Sequence, residues 1–343
     1  MRPFFAAVAV LVLLAGPAAG SALDMAAIND AQWPQKPSKA AISPHLIKAQ
    51  VLLDRARFSP GEIDGKPGTN LDKAIAAFAA AKDLHTQGGL NEQVWQALTT
   101  SQDPVVKEYT ISDEDLRGPF AEKIPAKMEA MKDLPALAYT GVREKLAEKF
   151  HMSEALLAAL NPGRKFEASG ETIVVANVAA GTLPAKAARV EVDKSAQTLK
   201  AFDRDGTLLA FYPATAGSVE KPAPDGRLKV TVVTRNPTYR YNPDYAFKGV
   251  RSRQPFTIKP GPNNPVGVVW IGLSPGDGYG IHGTPEPSKI SKTESHGCIR
   301  LTNWDALALA SSLGKSTPVD FTGNEQDARN ARAQAKVSKK KRR

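Results

Sequence analysis

One cysteine, Cys298, stands in 343 residues, so no disulfide can close within this chain and its folded state must rest on apolar cores. The length leaves room for two or three domains, and a hydrophobic content of 42 % is that of ordinary globular proteins. The lone thiol sits in a distinctive block. Ile281-His282-Gly283 is followed, after a short spacer, by Ser295-His296-Gly297-Cys298-Ile299-Arg300. Glycine beside both histidines lets backbone approach backbone closely.

A thiol attacks carbonyls as its thiolate, and an imidazole in hydrogen-bond reach can take its proton. Either His282 or His296 could supply that imidazole. A side chain two residues from Cys298 in an extended segment points to the same face, which favours His296 as a neighbour. His282 can approach from an adjacent strand, because 266–271 and 278–281 read as β structure. Gly297 leaves the amides of Gly297 and Cys298 able to point at one spot, as an oxyanion hole requires. Tyr279, three residues before His282, is a candidate for the site wall. Two other readings stand beside this one. Cys298, His282 and His296 could ligate zinc, although no fourth Cys or His lies near them in sequence. Cys298 could also be a buried structural residue, against which its polar, glycine-rich neighbours speak.

The same residues carry a resemblance. His282-Gly283, the spacer and Ser295 to Arg300 resemble the signature of the L,D-transpeptidases, the YkuD-type catalytic domain of bacterial cell-wall enzymes, and the similarity extends over 187–322. The resemblance implies that Cys298 is the nucleophile and His282 the general base and acid. It implies that Ser295, His296, Gly297 and Gly283 line the oxyanion side, and that Arg300 helps hold substrate. It also implies acyl transfer through a cysteine thioester without metal or organic cofactor, on peptidoglycan stem peptides attached to glycan strands, and acylation by carbapenems. The acceptor is open: a stem amine for a transpeptidase, water for an L,D-carboxypeptidase, or an outer-membrane protein for an anchoring enzyme. A non-catalytic wall-binding scaffold is the reading from a different class.

Residues 1–22 read as a secretory signal peptide, with Arg2, an apolar run from Phe4 to Leu14 and a small-residue end. That run is too short to span a bilayer. The expectation is an exported chain, in the periplasm or cell wall, with no transmembrane span once mature. Residues 44–100 show helical periodicity broken by Ser59-Pro60-Gly61 and Gly88-Gly89, and resemble the three-helix peptidoglycan-binding module. Asn70 and Ala79 depart from its usual Thr and Gln. Residues 104–180 resemble an α+β LysM-like segment opened by an insertion over 117–138, a spacer domain orienting the catalytic unit or a glycan binder, with Ser153 capping a helix that Asn161-Pro162-Gly163 stops. His45, His85 and His151 read as structural.

From 187 onward, β-branched runs at 190–199, 208–213, 228–234 and 266–271, separated by turn residues, predict a mostly-β catalytic domain. Asp203 to Gly206 should join its first two strands. One helix should follow the nucleophile, capped by Thr302 or Asn303 and packed on the sheet through Trp304, Leu307 and Leu309. The stretch 235–256, rich in Tyr and Arg, reads as a long loop. Residues 323–343 read as a basic disordered tail. From Asn324 on they hold eight Lys or Arg against two acids, a balance of +6 within the chain's +10. In an exported protein such a tail meets anionic wall polymers or membrane surfaces rather than nucleic acid, and a merely solvated tail is the commonest outcome. The fold class is therefore multidomain: a small all-α module, an α+β middle segment and a mostly-β catalytic domain.

Overall fold

The computed structural model describes residues 23–34, 42–86, 89–178, 181–245, 250–274 and 278–341. The signal-peptide expectation lies outside these residues. Among them, no helix is long and apolar enough to cross a membrane.

A short helix α1 (Met25–Asn29), capped by the Asp24 carboxylate, precedes three longer ones: α2 (Pro44–Arg55), α3 (Thr69–Ala81) and α4 (Glu92–Leu98). Pro44 starts α2 where a missing N–H costs nothing, and the Asn91 side chain accepts the Val94 N–H at the head of α4. Ile47, Val51, Leu71, Ile75, Phe78 and Val94 recur at helical spacing and are buried together. The chain then forms β1 (Val106–Thr110), four helices, α5 (Asp113–Leu116), α6 (Met128–Met131), α7 (Val142–Lys149) and α8 (Glu154–Leu160), and β2 (Thr172–Ala176), which pairs antiparallel with β1. Ser112 and Asp115 make a reciprocal capping box on α5, and Ser153 caps α8.

The sequence divides 44–100 from 104–180, but the structure gives the two one continuous core, from Ile28 to Ala176. Their seam is polar and directional. Arg55 donates to the carbonyls of Asp103, Pro104 and Asn177, and Ile63 exchanges main-chain bonds with His151 and Ser153. Periodicity locates helices but carries no information about which apolar faces meet.

The remaining chain builds a nine-stranded mixed sheet with β3 (Arg189–Asp193), β4 (Thr198–Phe202), β5 (Leu208–Pro213), β6 (Thr215–Ala216) and β7 (Gly226–Arg235). The expected single strand 190–199 is instead the hairpin β3–β4. The Asp193 carboxylate accepts the Ala196 N–H and Gln197 takes a left-handed backbone, which turns the chain back. The turn at 203–206 therefore joins β4 to β5. The expected loop 235–256 also differs: β8 (Tyr239–Tyr241) pairs with β9 (Phe256–Ile258) as a two-stranded ribbon. Tyr241 stacks on Phe256 there, aromatic cross-strand packing that a search for hydrophobic repeats overlooks.

Next come β10 (Val269–Ser274), β11 (Gly280–His282), β12 (Ile299–Arg300), α9 (Asn303–Ser312), β13 (Pro318–Thr322) and α10 (Glu325–Lys341). The sheet order is β5-β4-β3-β13-β7-β10-β11-β12-β6, with β13 parallel to β3 and β11 parallel to β12. The Thr302 hydroxyl caps α9. Leu309 enters the core and Leu307 packs against it, whereas Trp304 stacks on His151 of the preceding region, at 5.1 Å. The tail is not disordered at its start. Asn324 caps α10, the buried Glu325 accepts the Ala223 N–H, and Arg332 donates to the Thr293 carbonyl and the Glu294 carboxylate. Counting charge missed these anchors.

The helical region closes one edge of the sheet. On β5, Phe211 donates to the Arg57 carbonyl and accepts from the Ser59 N–H, each at 2.9 Å, which removes an exposed strand edge. Asn70 donates to the carbonyl of Ile290 at 3.1 Å, a bond from α3 to the segment that follows β11. Phe58 packs edge-to-face on Phe78 beside this seam. Phe58→Ala should cost about 3–5 kcal/mol, read as a lower urea midpoint with an unchanged slope.

Candidate active site

Strand register assembles the site. In the parallel pair, Ile281 lies opposite Ile299 and His282 opposite Arg300. Both isoleucines are fully buried in the catalytic core, so His282, Arg300 and, two residues earlier, Cys298 share the other face. The antiparallel pairing of β10 brings Trp270 opposite His282, and their rings stack at 5.7 Å. Gly280 makes room for this, because a Cβ there would lie 2.5 Å from the Trp270 ring.

The Cys298 thiol is half-buried and donates to the Gly278 carbonyl at 3.4 Å. Desolvation pushes it up to about 11, opposed by the Gly280 N–H and the Arg300 guanidinium. His282 is buried, with Nδ1 2.7 Å from the Gly283 carbonyl oxygen. A carbonyl can only accept, so Nδ1 carries the proton and Nε2 keeps its lone pair. Burial, reinforced by Arg300, brings His282 down to about 3 against the pull of the Gly283 bond. Burial also lowers Arg300, which donates to the Glu294 carbonyl. At neutral pH the site therefore holds a neutral thiol and a neutral imidazole under one cation. Such a base can accept a proton as sulfur attacks, without storing an ion pair beforehand.

The flanking residues have distinct tasks. The buried Ser295 donates its hydroxyl to the Cys298 carbonyl at 2.6 Å and its N–H to the Gly217 carbonyl, so it fixes the Cys298 backbone. Gly297 has φ +99°, and a Cβ there would lie 3.2 Å from both the Pro222 carbonyl and the half-buried Tyr279 ring. Only glycine suits that conformation. His296 is exposed, and partial burial with Arg300 and Lys221 nearby lowers its pKa. Gly283 is pressed against Asn303, whose Oδ1 would lie 2.1 Å from an added Cβ. The sequence pattern misses Trp270 and Asn303, which reach the site through cross-strand register and a helix start. Among the described residues, no three His, Cys, Asp or Glu side chains are grouped to hold a metal ion.

With this geometry in hand, the L,D-transpeptidase catalytic domain profile matches residues 187–320. The YkuD relative of Bacillus licheniformis, named as an L,D-transpeptidase, is 31 % identical over 182 residues, covering 52 % of this chain and 92 % of that protein. The chain belongs to the YkuD-type L,D-transpeptidase family. The Bacillus subtilis YkuD relative is 29 % identical over 51 % of this chain and 89 % of its own. Among solved structures, an L,D-transpeptidase variant of Enterococcus faecium is 21 % identical, with a TM-score of 0.30, covering 40 % of this chain and 50 % of that one. The chain thus spans nearly all of these Bacillus relatives and about half of the E. faecium protein. L,D-transpeptidases are transferases that act on peptidoglycan stem peptides, and the mostly-β domain with Cys298 and His282 is the part of this chain that the family profile covers.

The resting charge state is measurable. Alkylation of Cys298 by iodoacetamide should still be accelerating at about pH 9, beyond a free cysteine's midpoint, and level off only toward about 11. A plateau reached below neutral pH would mean that thiolate and imidazolium already coexist in the resting protein.

Proposed function

We propose that this chain is an exported peptidoglycan L,D-transpeptidase that joins the third residues of two stem peptides through a thioester on Cys298. The observation that carries this reading is the 2.7 Å approach of His282 Nδ1 to the Gly283 carbonyl oxygen. The Gly283 carbonyl holds Nδ1–H and leaves a bare Nε2 on the face that Cys298 shares. The Cys298 proton passes to Nε2 as sulfur attacks the carbonyl carbon of the third residue of a tetrapeptide donor. The backbone N–H groups of Gly297 and Cys298 stabilise the oxyanion. The C–N bond then breaks, and the terminal D-alanine leaves with the proton held by His282.

Deacylation runs the same path in reverse. An amine of a second stem attacks the thioester, His282 accepts its proton, and the thiol is restored as the new amide forms. Arg300, on the same face, supplies the cation for substrate carboxylates. Tyr279, beside Gly297, walls the site. No metal or organic cofactor enters this sequence of steps.

The test is product analysis by mass spectrometry after mixing the mature protein with purified disaccharide tetrapeptide. Dimers lacking one D-alanine, absent with Cys298→Ala, are the expected result. Tripeptide monomers alone would replace the stem amine by water and make the enzyme an L,D-carboxypeptidase. His282→Ala should lower dimer formation roughly 10²–10⁴-fold, the usual weight of a general base, while leaving the melting temperature within a few degrees.

A further inference from the structure

Asn303, the first residue of α9, is 1 % exposed and hydrogen-bonds from both ends of its amide. Its Oδ1 accepts the Val268 N–H at 3.2 Å and sits so close to Gly267 and Gly283 that a Cβ on either would approach within 2.1 Å. Its Nδ2 donates to the Pro262 carbonyl and to both carboxylate oxygens of Glu148, at 3.1 and 3.0 Å. The amide cannot turn over without setting its oxygen against that carboxylate.

Glu148 does not belong to the catalytic domain. It lies near the end of α7, 155 residues earlier in the chain. The Tyr139 hydroxyl also donates to it, at 2.9 Å. Burial raises Glu148 to about 7 against the pull of the Asn303 and Tyr139 bonds. The backbone that Asn303 wedges is that of Gly283, whose carbonyl holds the His282 ring and whose N–H reaches the Val269 carbonyl at 3.3 Å.

We propose that Glu148 is a positioning residue for His282: it locks the Asn303 amide, Asn303 seats the Gly283 peptide, and Gly283 keeps the imidazole with Nε2 bare. The region ahead of the catalytic domain thereby completes the base, beyond any part it plays as a spacer. The inference rests on the reading of His282 as general base. Partners that orient metal-bound histidines matter roughly 10- to 100-fold, and the same scale is expected for this metal-free histidine.

The test uses the full chain and a carbapenem as acyl donor, with acylation of Cys298 followed by intact-protein mass spectrometry over a range of carbapenem concentrations. Glu148→Gln should slow the first-order acylation step roughly 10- to 100-fold while leaving the concentration for half-maximal rate unchanged. A general loosening of the site would move both. Asn303→Ala should be slow as well, and the double variant no slower than Asn303→Ala alone, because the two residues act in series. Ser59→Ala, which breaks a different contact onto the catalytic domain at Asp305, should acylate at the wild-type rate.

If Glu148→Gln does not fold, Glu148→Asp takes its place, keeping the charge but drawing it back by one methylene. A Glu148 variant that acylates at the wild-type rate while His282→Ala is slow would overturn this inference and leave the proposed function standing. Strictly multiplicative effects of the two substitutions would also overturn it. His282→Ala at the wild-type rate, or a wild-type protein that no carbapenem acylates, would instead strike at the underlying reading.

Discussion

The parallel pairing of β11 with β12 is the constraint on which the site depends. Only two residue pairs are in register, Ile281 with Ile299 and His282 with Arg300. Each isoleucine is driven into the core by its own burial, and that commitment turns the alternate residues outward. A one-residue slip would put an imidazole and a guanidinium into the apolar interior, at a cost far above that of the pairing itself. Hydrophobic burial on one face thus sets the chemistry on the other.

Close approach of backbones is the second requirement, and glycine meets it at several points. Gly280 lets Trp270 lie flat beside His282, Gly283 lets Asn303 at the start of α9 press on its Cα, and Gly297 takes a left-handed turn beneath Tyr279. The loop before Cys298 is held from outside as well. Ser295 ties the Cys298 carbonyl, Arg332 of α10 holds Thr293 and Glu294, and Arg300 holds Glu294. These restraints hold a desolvated thiol and a desolvated imidazole on one face of the sheet.

The family and the grouping of the candidate site were legible in sequence because their reporters are local. A cysteine, two histidines and their glycines lie within 18 residues, and the residue types alone restrict what they can do. The catalytic domain's β character was legible from β-branched runs for the same reason. Strand boundaries were less so: the Asp193-to-Gln197 turn interrupts an unbroken β-prone run, and only a side chain bonding its own backbone marks the break. The ribbon at β8 and β9 is held by Tyr241 on Phe256, a pairing across a gap that periodicity does not see. Contacts between distant segments were out of reach altogether. Nothing near Glu148 announces Asn303, and nothing in a run of Lys and Arg announces that Glu325 is buried under Ala223.

The state of the His282 ring is the most direct test of the proton path proposed here. Nitrogen-15 NMR of histidine-labelled protein at about neutral pH should show His282 neutral, protonated on Nδ1 and bare on Nε2. On acidification that signal should persist until about pH 3, while ordinary histidines titrate near 6.5. An imidazolium at neutral pH, or a proton resident on Nε2, would contradict the assignment of His282 as the group that takes the proton from Cys298.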